Sequence, residues 1–326
     1  MYALGLDIGY STLVTAEGYS GRNPKIQINP VGVCPVEAAS PSLGFQSKGA
    51  GGRVVEVHGE EYLAGVLPRH VENRRVLHAN YSESIEYNAL FNLALSNCGQ
   101  TTIDRLVTGL PVQQFKDESR KKQIVELMKG KHQPTKGGAV IEVREVMIVP
   151  QPFGAFCSAI IANPAIASLL QTGIILVVDP GYYSLDWTLI NSGSIQGQGS
   201  GGTQNSISKV LEEASSSLLE RTGARVSPEK LEASFQGNAD VVVRGELMSL
   251  NEVMEGVTST VSKSIDEIHQ SMRGMADDVD VVILAGGGAR FWESNLRGAF
   301  KNAKHIHLEN PVSSNANGYW NWGCSR

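Results

Sequence analysis

Cysteine is scarce in this sequence, which has four in 326 residues (Cys34, Cys98, Cys157 and Cys324), with no C-x-x-C pair and no histidine at metal-ligand spacing. A disulfide scaffold and a structural zinc site are excluded, and the pattern suits a reducing cytoplasm. No apolar run approaches the roughly 18 residues of a membrane span. A basic excess is missing too: 28 Lys and Arg against 33 Asp and Glu leave a net charge of −5, which argues against direct nucleic-acid binding over a broad surface. The run after Met1 has no basic stretch before it and is broken by Asp7, so it reads as a buried strand and not as a signal peptide. Neither a P-loop ending in Gly-Lys-Ser/Thr nor a complete G-x-G-x-x-G is found.

What is present is an ordinary folded chain, 41% hydrophobic and 19% charged, too long for one core and therefore expected to form two domains or lobes. Short apolar runs predict buried strands over Tyr2–Ile8, Ile103–Leu110, Val140–Val149, Gly173–Val178, Leu185–Ile190 and Val279–Ala285. Helical patterns lie between them over Ser82–Asn97, Lys116–Lys129 and Asn205–Thr222, each followed closely by a glycine. Ser227-Pro228 gives an N-cap with proline at the first helical position. Ser249 with Glu252 gives a capping box at the head of an apolar stripe running from Val253 to Met272, which predicts one helix ended by Gly274. Pro24–Gly52, rich in Gly, Pro and Ser, predicts loops and hairpin turns, and the composition change near Val149–Pro152 predicts the hinge between lobes. Strands alternating with helices in this order predict an α/β chain.

Two stretches repeat one another. Leu6-Asp7-Ile8-Gly9-Tyr10-Ser11-Thr12-Leu13 and Val178-Asp179-Pro180-Gly181-Tyr182-Tyr183-Ser184-Leu185 both read D-x-G-Y-x-[ST]-L after a buried-strand pattern. An aspartate at a strand end can accept from water on a divalent cation, glycine lets the backbone approach a ligand, and the hydroxyl adds a donor. One copy alone reads more readily as a tight turn after a strand; the matched second copy shifts the reading to phosphate with Mg²⁺ held from both sides of a cleft. Asp186, just beyond the second copy, is either a further site carboxylate or an aspartate bonded to backbone at a strand start.

Two further elements accompany them. Val281 to Ala289 runs an apolar strand into Gly286-Gly287-Gly288 and then a predicted helix from Arg290, a turn that lets a flat base or a phosphate lie against the backbone. Val149-Pro150-Gln151-Pro152-Phe153-Gly154 joins a strand to small residues, and Gln151 is either an ordinary loop residue or an amide that orients a water for in-line attack.

With these four elements in this order, the sequence resembles the actin, Hsp70 and sugar-kinase superfamily over nearly its whole length. LGLDIGYST resembles the first phosphate motif, VPQPFGAF the first connecting motif, VVDPGYYSLDW the second phosphate motif and VVILAGGGARF the adenosine motif. The Ser184-Leu185-Asp186 ending and Asn315-Ala316-Asn317-Gly318-Tyr319 look most like the bacterial plasmid-segregation ATPases of the ParM and StbA group. The resemblance implies a two-lobed actin-like (ribonuclease H-like) α/β fold, with residues 1–155 plus 310–326 as domain I, residues 156–309 as domain II, and a mixed five-stranded sheet in each. It implies ATP, or GTP in its place, held with Mg²⁺ between them. Asp7 and Asp179 would hold the hydrated metal; Gly9, Ser11, Thr12, Gly181 and Ser184 would line the phosphates. Gly286, Gly287 and Gly288 would lie against the adenosine, and Gln151 with Asp179 would serve hydrolysis. The sequence departs from the family at Val14, where many members carry a lysine, and at Pro180, Tyr182 and Tyr183, where small residues are usual. Nucleotide binding tolerates these changes better than fast hydrolysis does.

The expected activity is a slow ATPase coupled to self-association into filaments. A DNA-binding adaptor protein is the further partner expected in plasmid segregation, in the cytoplasm and without direct contact to nucleic acid or membrane. Contacts between unlike surfaces give open filaments. Two other classes share the nucleotide motifs. A small-molecule kinase acting on a sugar or acid needs a carboxylate base facing the acceptor hydroxyl, for which Asp186 is the candidate. A monomeric nucleotide-dependent switch is the other, and an Hsp70-type chaperone is disfavoured because no substrate-binding domain follows Arg326. His58, His70 and His132 stand in polar sequence and read as surface residues.

Overall fold

The computed structural model describes residues 1–38, 52–68 and 80–325. β1 (Tyr2–Ile8), β2 (Thr12–Tyr19) and β3 (Lys25–Pro30) form an antiparallel ribbon; β4 (Gly32–Pro35), β5 (Arg53–Val57) and β6 (Glu60–Val66) make a small separate sheet. Then come α1 (Ile85–Asn97), β7 (Thr102–Leu110), α2 (Val112–Phe115), α3 (Glu118–Met128), β8 (Gly130–His132) and β9 (Ile141–Pro150). α4 (Pro152–Ala162) and α5 (Pro164–Ser168) lead into β10 (Ile174–Pro180), β11 (Leu185–Asn191), β12 (Ser194–Thr203), α6 (Ile207–Thr222) and α7 (Pro228–Gln236). The hairpin of β13 (Val241–Val243) and β14 (Glu246–Met248) precedes α8 (Leu250–Val253) and α9 (Ser259–Met272). β15 (Val281–Leu284), α10 (Ala289–Ala299), β16 (Lys304–His307) and α11 (Ser314–Ser325) follow.

Two sheets share one plan. The first runs β3-β2-β1-β7-β9-β8 and the second β12-β11-β10-β15-β16, and in each an antiparallel ribbon continues into parallel strands. This is the two-lobed α/β arrangement the sequence predicts, with β8 added as a sixth strand to the first sheet. Every predicted strand is present. β15 and the Ile174–Val178 part of β10 are unbroken apolar runs because helices cover both their faces. Ile175 and Val177 pack with Ala155 and Phe156 of α4 on one side, and Leu176 and Val178 with Val210 of α6 and Trp292 of α10 on the other.

Three expectations fail locally. The stripe from Val253 to Met272 is not one helix: the capping box forms, but α8 stops after one turn, Gly256 bends the chain at φ +79° and α9 starts at Ser259. A left-handed residue cannot continue a right-handed helix. Pro24–Gly52, expected as loops, holds β3 and β4, with β3 as the edge strand that tolerates a terminal proline. His132 is half-buried rather than superficial, its ring edge-on to Phe91 at 5.1 Å and bonded to the Met128 carbonyl at 3.0 Å. Residues 39–51 of the Pro24–Gly52 stretch, and His70, lie outside the described residues. No single helix among the described residues is long and apolar enough to cross a membrane.

α11 lies on the first sheet, with Ala316 and Trp320 against Ala3, Val14 and Ala16. It crosses α4 where two glycines meet: a Cβ on Gly318 would stand 1.7 Å from the Gly154 carbonyl oxygen. Because α4 packs on the second sheet, this crossing joins the lobes.

Candidate functional site

The sequence repeat is a structural repeat. Asp7 and Asp179 are each the penultimate residue of their strand, and each turn closes the same way, with Gly9 N–H donating to the Thr12 carbonyl at 3.0 Å and Gly181 N–H to the Ser184 carbonyl at 2.9 Å. In register, Val14 stands across from Asp7, and Asp186 across from Asp179. Residues paired in this way share a face of the sheet. Val14 is therefore directed at α11, in contact with Ala16 and Ala316, and a lysine there would bury its charge.

A residue outside all four motifs joins the two aspartates. Asn315, 3% exposed at the start of α11, donates from Nδ2 to Asp179 Oδ2 at 2.6 Å and lies close enough to the Asp7 carboxyl to favour its charged form, while its Oδ1 accepts from the Ala155 N–H of α4 at 3.0 Å. Burial pushes the Asp7 carboxyl up to about 6 despite the opposing influence of the Asn315 amide. Burial and then the charge of Asp7 push Asp179 up to about 7, with Asp186 adding to the rise, and burial takes Asp186 itself up to about 6. Carboxylates so placed favour a proton or a cation. Among the described residues no group of three or more His, Cys, Asp or Glu side chains is arranged to hold a metal directly. Asp7 and Asp179 instead fit Mg²⁺ that keeps most of its water, for which two carboxylates suffice.

The three glycines after β15 have different reasons. Gly286 (φ +72°) is dictated by packing, since a Cβ would sit 2.2 Å from Asp179 Oδ1. A Cβ on Gly288 would meet Ile207 at 2.7 Å and the Pro180 carbonyl at 2.8 Å. Only Gly287 of the three has nothing within 4 Å, so its backbone is the one open to a ligand.

The hairpin hydroxyls are already engaged. Ser11 Oγ donates to Glu232 Oε1 at 2.7 Å and accepts from Gln236 Nε2 at 2.6 Å, both on α7 of the second lobe. Ser184 Oγ donates to Asp186 Oδ2 at 2.6 Å, and Asp186 Oδ1 accepts from the Val112 N–H of the first lobe at 2.7 Å. A hydroxyl has one proton, so neither serine as placed donates to a phosphate. Both Asp186 oxygens likewise hold protein donors, which suits a tie between lobes better than a general base. Thr12, half-buried at the start of β2, contributes its carbonyl to the turn. At the turn tips Tyr10 lies between Tyr81 and Tyr183, with ring centroids 4.2 Å and 4.6 Å away.

Gln151 occupies the N-cap of α4, its N–H on the Leu110 carbonyl at 2.8 Å and its carbonyl accepting from Tyr319 Oη at 2.8 Å. Gly109 admits that tyrosine, since a Cβ there would be 1.9 Å from its Oη. Among the described residues the Gln151 amide takes no partner and is available to a water. Asn315, Glu232, Gln236 and Tyr319 were not identified as site residues from the sequence. Only Asn315 and Tyr319 carried a signal, through the Asn315–Tyr319 motif.

No match is found among curated protein sequences. Solved structures match over the full length at identities that show the fold alone. The archaeal actin homologue Ta0583 in complex with ADP gives a TM-score of 0.77 at 17% identity, with 100% of each chain covered. A ParM filament from Clostridium botulinum gives 0.77 at 18%, covering 100% of this chain and 99% of that one, and Bacillus thuringiensis ParM with AMPPNP gives 0.62 at 14%, covering 99% and 98%. The family model for the N-terminal domain of actin-like proteins matches residues 5–154 and that for the C-terminal domain of archaeal MreB-like actin homologues matches residues 177–298, so the chain belongs to the actin-like proteins.

Proposed function

We propose that this chain binds ATP with Mg²⁺ between its lobes, hydrolyses it slowly, and assembles head to tail into filaments in the nucleotide-bound form. The observation that carries this is the convergence of Asp7 and Asp179, one from each matched hairpin, on Asn315. Bound Mg²⁺ supplies the positive charge that offsets these carboxylates and the phosphates. Asp7 and Asp179 orient its waters, the two hairpin turns hold the phosphates, and the backbone at Gly287 takes the nucleoside, with GTP as the alternative to ATP. The ADP complex of Ta0583 and the ParM filament support the nucleotide and the polymer respectively. Domain I takes residues 1–155 and 310–326 and domain II residues 156–309, supported by α11 lying on the first sheet and α4 packing on the second. Plasmid segregation in the cytoplasm, through a DNA-binding adaptor, extends the proposal by its resemblance to the ParM group.

Phosphate contacts from hairpins of separate lobes are satisfied together only when the lobes close, so nucleotide stabilises the closed form by its differential affinity. Closure fixes the outer surfaces of the lobes relative to one another, and a contact spanning both matches its neighbour in one state only. Sedimentation and electron microscopy at micromolar protein should show polymer with Mg²⁺ and ATP or a slowly hydrolysed analogue, and monomer without nucleotide. Monomer throughout, with phosphate passed to a sugar, would move the chain to the kinase class.

Gln151→Ala should slow phosphate release at saturating ATP by roughly tenfold to a hundredfold with little change in nucleotide affinity, because an amide that orients water acts in the transition state. If neither quantity moves, Gln151 is only the cap of α4.

A further inference from the structure

Ser11 stands in the turn of the first hairpin, yet it is bonded to the opposite lobe. Its hydroxyl donates to Glu232 Oε1 at 2.7 Å and accepts from Gln236 Nε2 at 2.6 Å, and the same Nε2 donates to Glu232 Oε1 at 3.1 Å, which closes a ring of three hydrogen bonds. Glu232 and Gln236 are one helical turn apart, so α7 presents both from one face. That helix is fixed in the second-lobe core by the buried Leu231 and capped by Ser227, whose hydroxyl accepts from Lys230 N–H. Glu232 is only 7% exposed, and a carboxylate so enclosed relies on protein donors in place of water. Beside this ring Tyr10 and Tyr183 bring the two turns into contact. The second hairpin repeats the device, with Ser184 donating to Asp186 while Asp186 accepts from Val112 N–H across the cleft.

We infer that Glu232 is a positioning residue for the first phosphate hairpin, clasping Ser11 from the opposite lobe so that the shape of the turn is tied to lobe closure. The inference rests on the cleft being the nucleotide site. Ser11 has one proton, and the two roles open to it make opposite demands on Glu232. If Ser11 gave its proton to a phosphate, the Glu232 carboxylate would stand beside that phosphate and repel it, and removing Glu232 would tighten binding. If Glu232 holds the turn in its closed position, removing it lowers the population of the binding-competent form, and binding weakens by the same factor. The enclosed carboxylate, with two donors from different lobes already on it, fits the second role.

The test uses the full chain with two readouts. The first is hydrogen exchange of the turn amides of residues 9–12 in ligand-free protein, which is independent of any nucleotide. Glu232→Ala and Ser11→Ala should both raise that exchange, while Glu232→Gln, which keeps an acceptor for Ser11, should retain most of the protection. The second is affinity and release rate for a fluorescent ATP analogue with Mg²⁺. Each alanine variant should bind roughly fivefold to fiftyfold more weakly and release faster, and the double variant should be no weaker than the singles, because both break one contact. Unchanged exchange in both alanine variants, tighter analogue binding by Glu232→Ala, or additive losses in the double variant would overturn the clasp. Raised exchange in the two alanine variants, with a wild type that binds no nucleotide, would keep the clasp and reject the nucleotide site instead.

Discussion

Replacing Asp179 with asparagine should remove Mg²⁺-dependent nucleotide binding while making the ligand-free protein more stable at pH 8. The carboxyl is 3% exposed, and burial, then the charge of Asp7, and also that of Asp186, hold it up at about 7, against 3.8 for a free aspartate. A folded-state value above the unfolded one means that the folded protein binds the proton more tightly, so the stability linked to this group is fully present below about pH 4 and is lost as pH rises through 7. At pH 8 the wild type bears that cost in full, whereas the Asp179→Asn variant, with a neutral amide there at every pH, does not. Thermal unfolding of ligand-free protein should therefore show the variant melting higher than wild type at pH 8, by about 2–4 °C for each kcal/mol relieved, with the gap narrowing toward pH 4. Affinity for ATP with Mg²⁺ should fall by a hundredfold or more, on the order of 3 kcal/mol for a lost charged hydrogen bond to the metal's water. Calorimetry at pH 8 checks both. Unchanged affinity would remove Asp179 from the metal site, and a lower melting point would show that Asn315 depends on the charge more than burial opposes it.

The hairpins were legible because their signal is local: D-x-G-Y-x-[ST]-L sets a strand end, a glycine-closed turn and the next strand within eight residues, and the register of both copies agrees. The buried strands were legible because helices on both faces leave an apolar run with no alternation. What escaped depends on parts of the chain far apart. Asn315 reaches Asp179 across 136 positions and Glu232 reaches Ser11 across 221, and no spacing rule connects them. The long stripe misled because Val253, Val257 and Val261 keep helical spacing through Gly256, whose left-handed backbone breaks the helix. Reading Gly286, Gly287 and Gly288 as one ligand-facing unit likewise merged two packing glycines with a single open one.

The second large effect is expected at Gly318, where alanine should unfold the chain or destabilise it by about 3 kcal/mol or more. An added Cβ would lie 1.7 Å from the Gly154 carbonyl oxygen and 2.5 Å from its carbonyl carbon, both backbone atoms of α4. No rotamer relieves a clash with backbone; α4 and α11 must move apart. Intrinsic propensity pulls the other way, since Ala in place of Gly inside a helix gains about 1 kcal/mol, so the sign of the measured change decides whether packing or propensity governs this site. Gly298→Ala in α10 is the control, because a Cβ there meets nothing within 4 Å and should stabilise by up to about that amount. Separation of the helices also reaches the site: Asn315 and Tyr319 flank Gly318 on α11, so the bonds to Asp179 and to the Gln151 carbonyl lengthen together. Urea unfolding should show a lower midpoint for Gly318→Ala at unchanged slope, and nucleotide affinity in whatever fraction folds should drop with it. A Gly318→Ala protein as stable as the Gly298→Ala control would mean that the two helices do not meet at these glycines, and the link from α11 to the paired aspartates would fail with them.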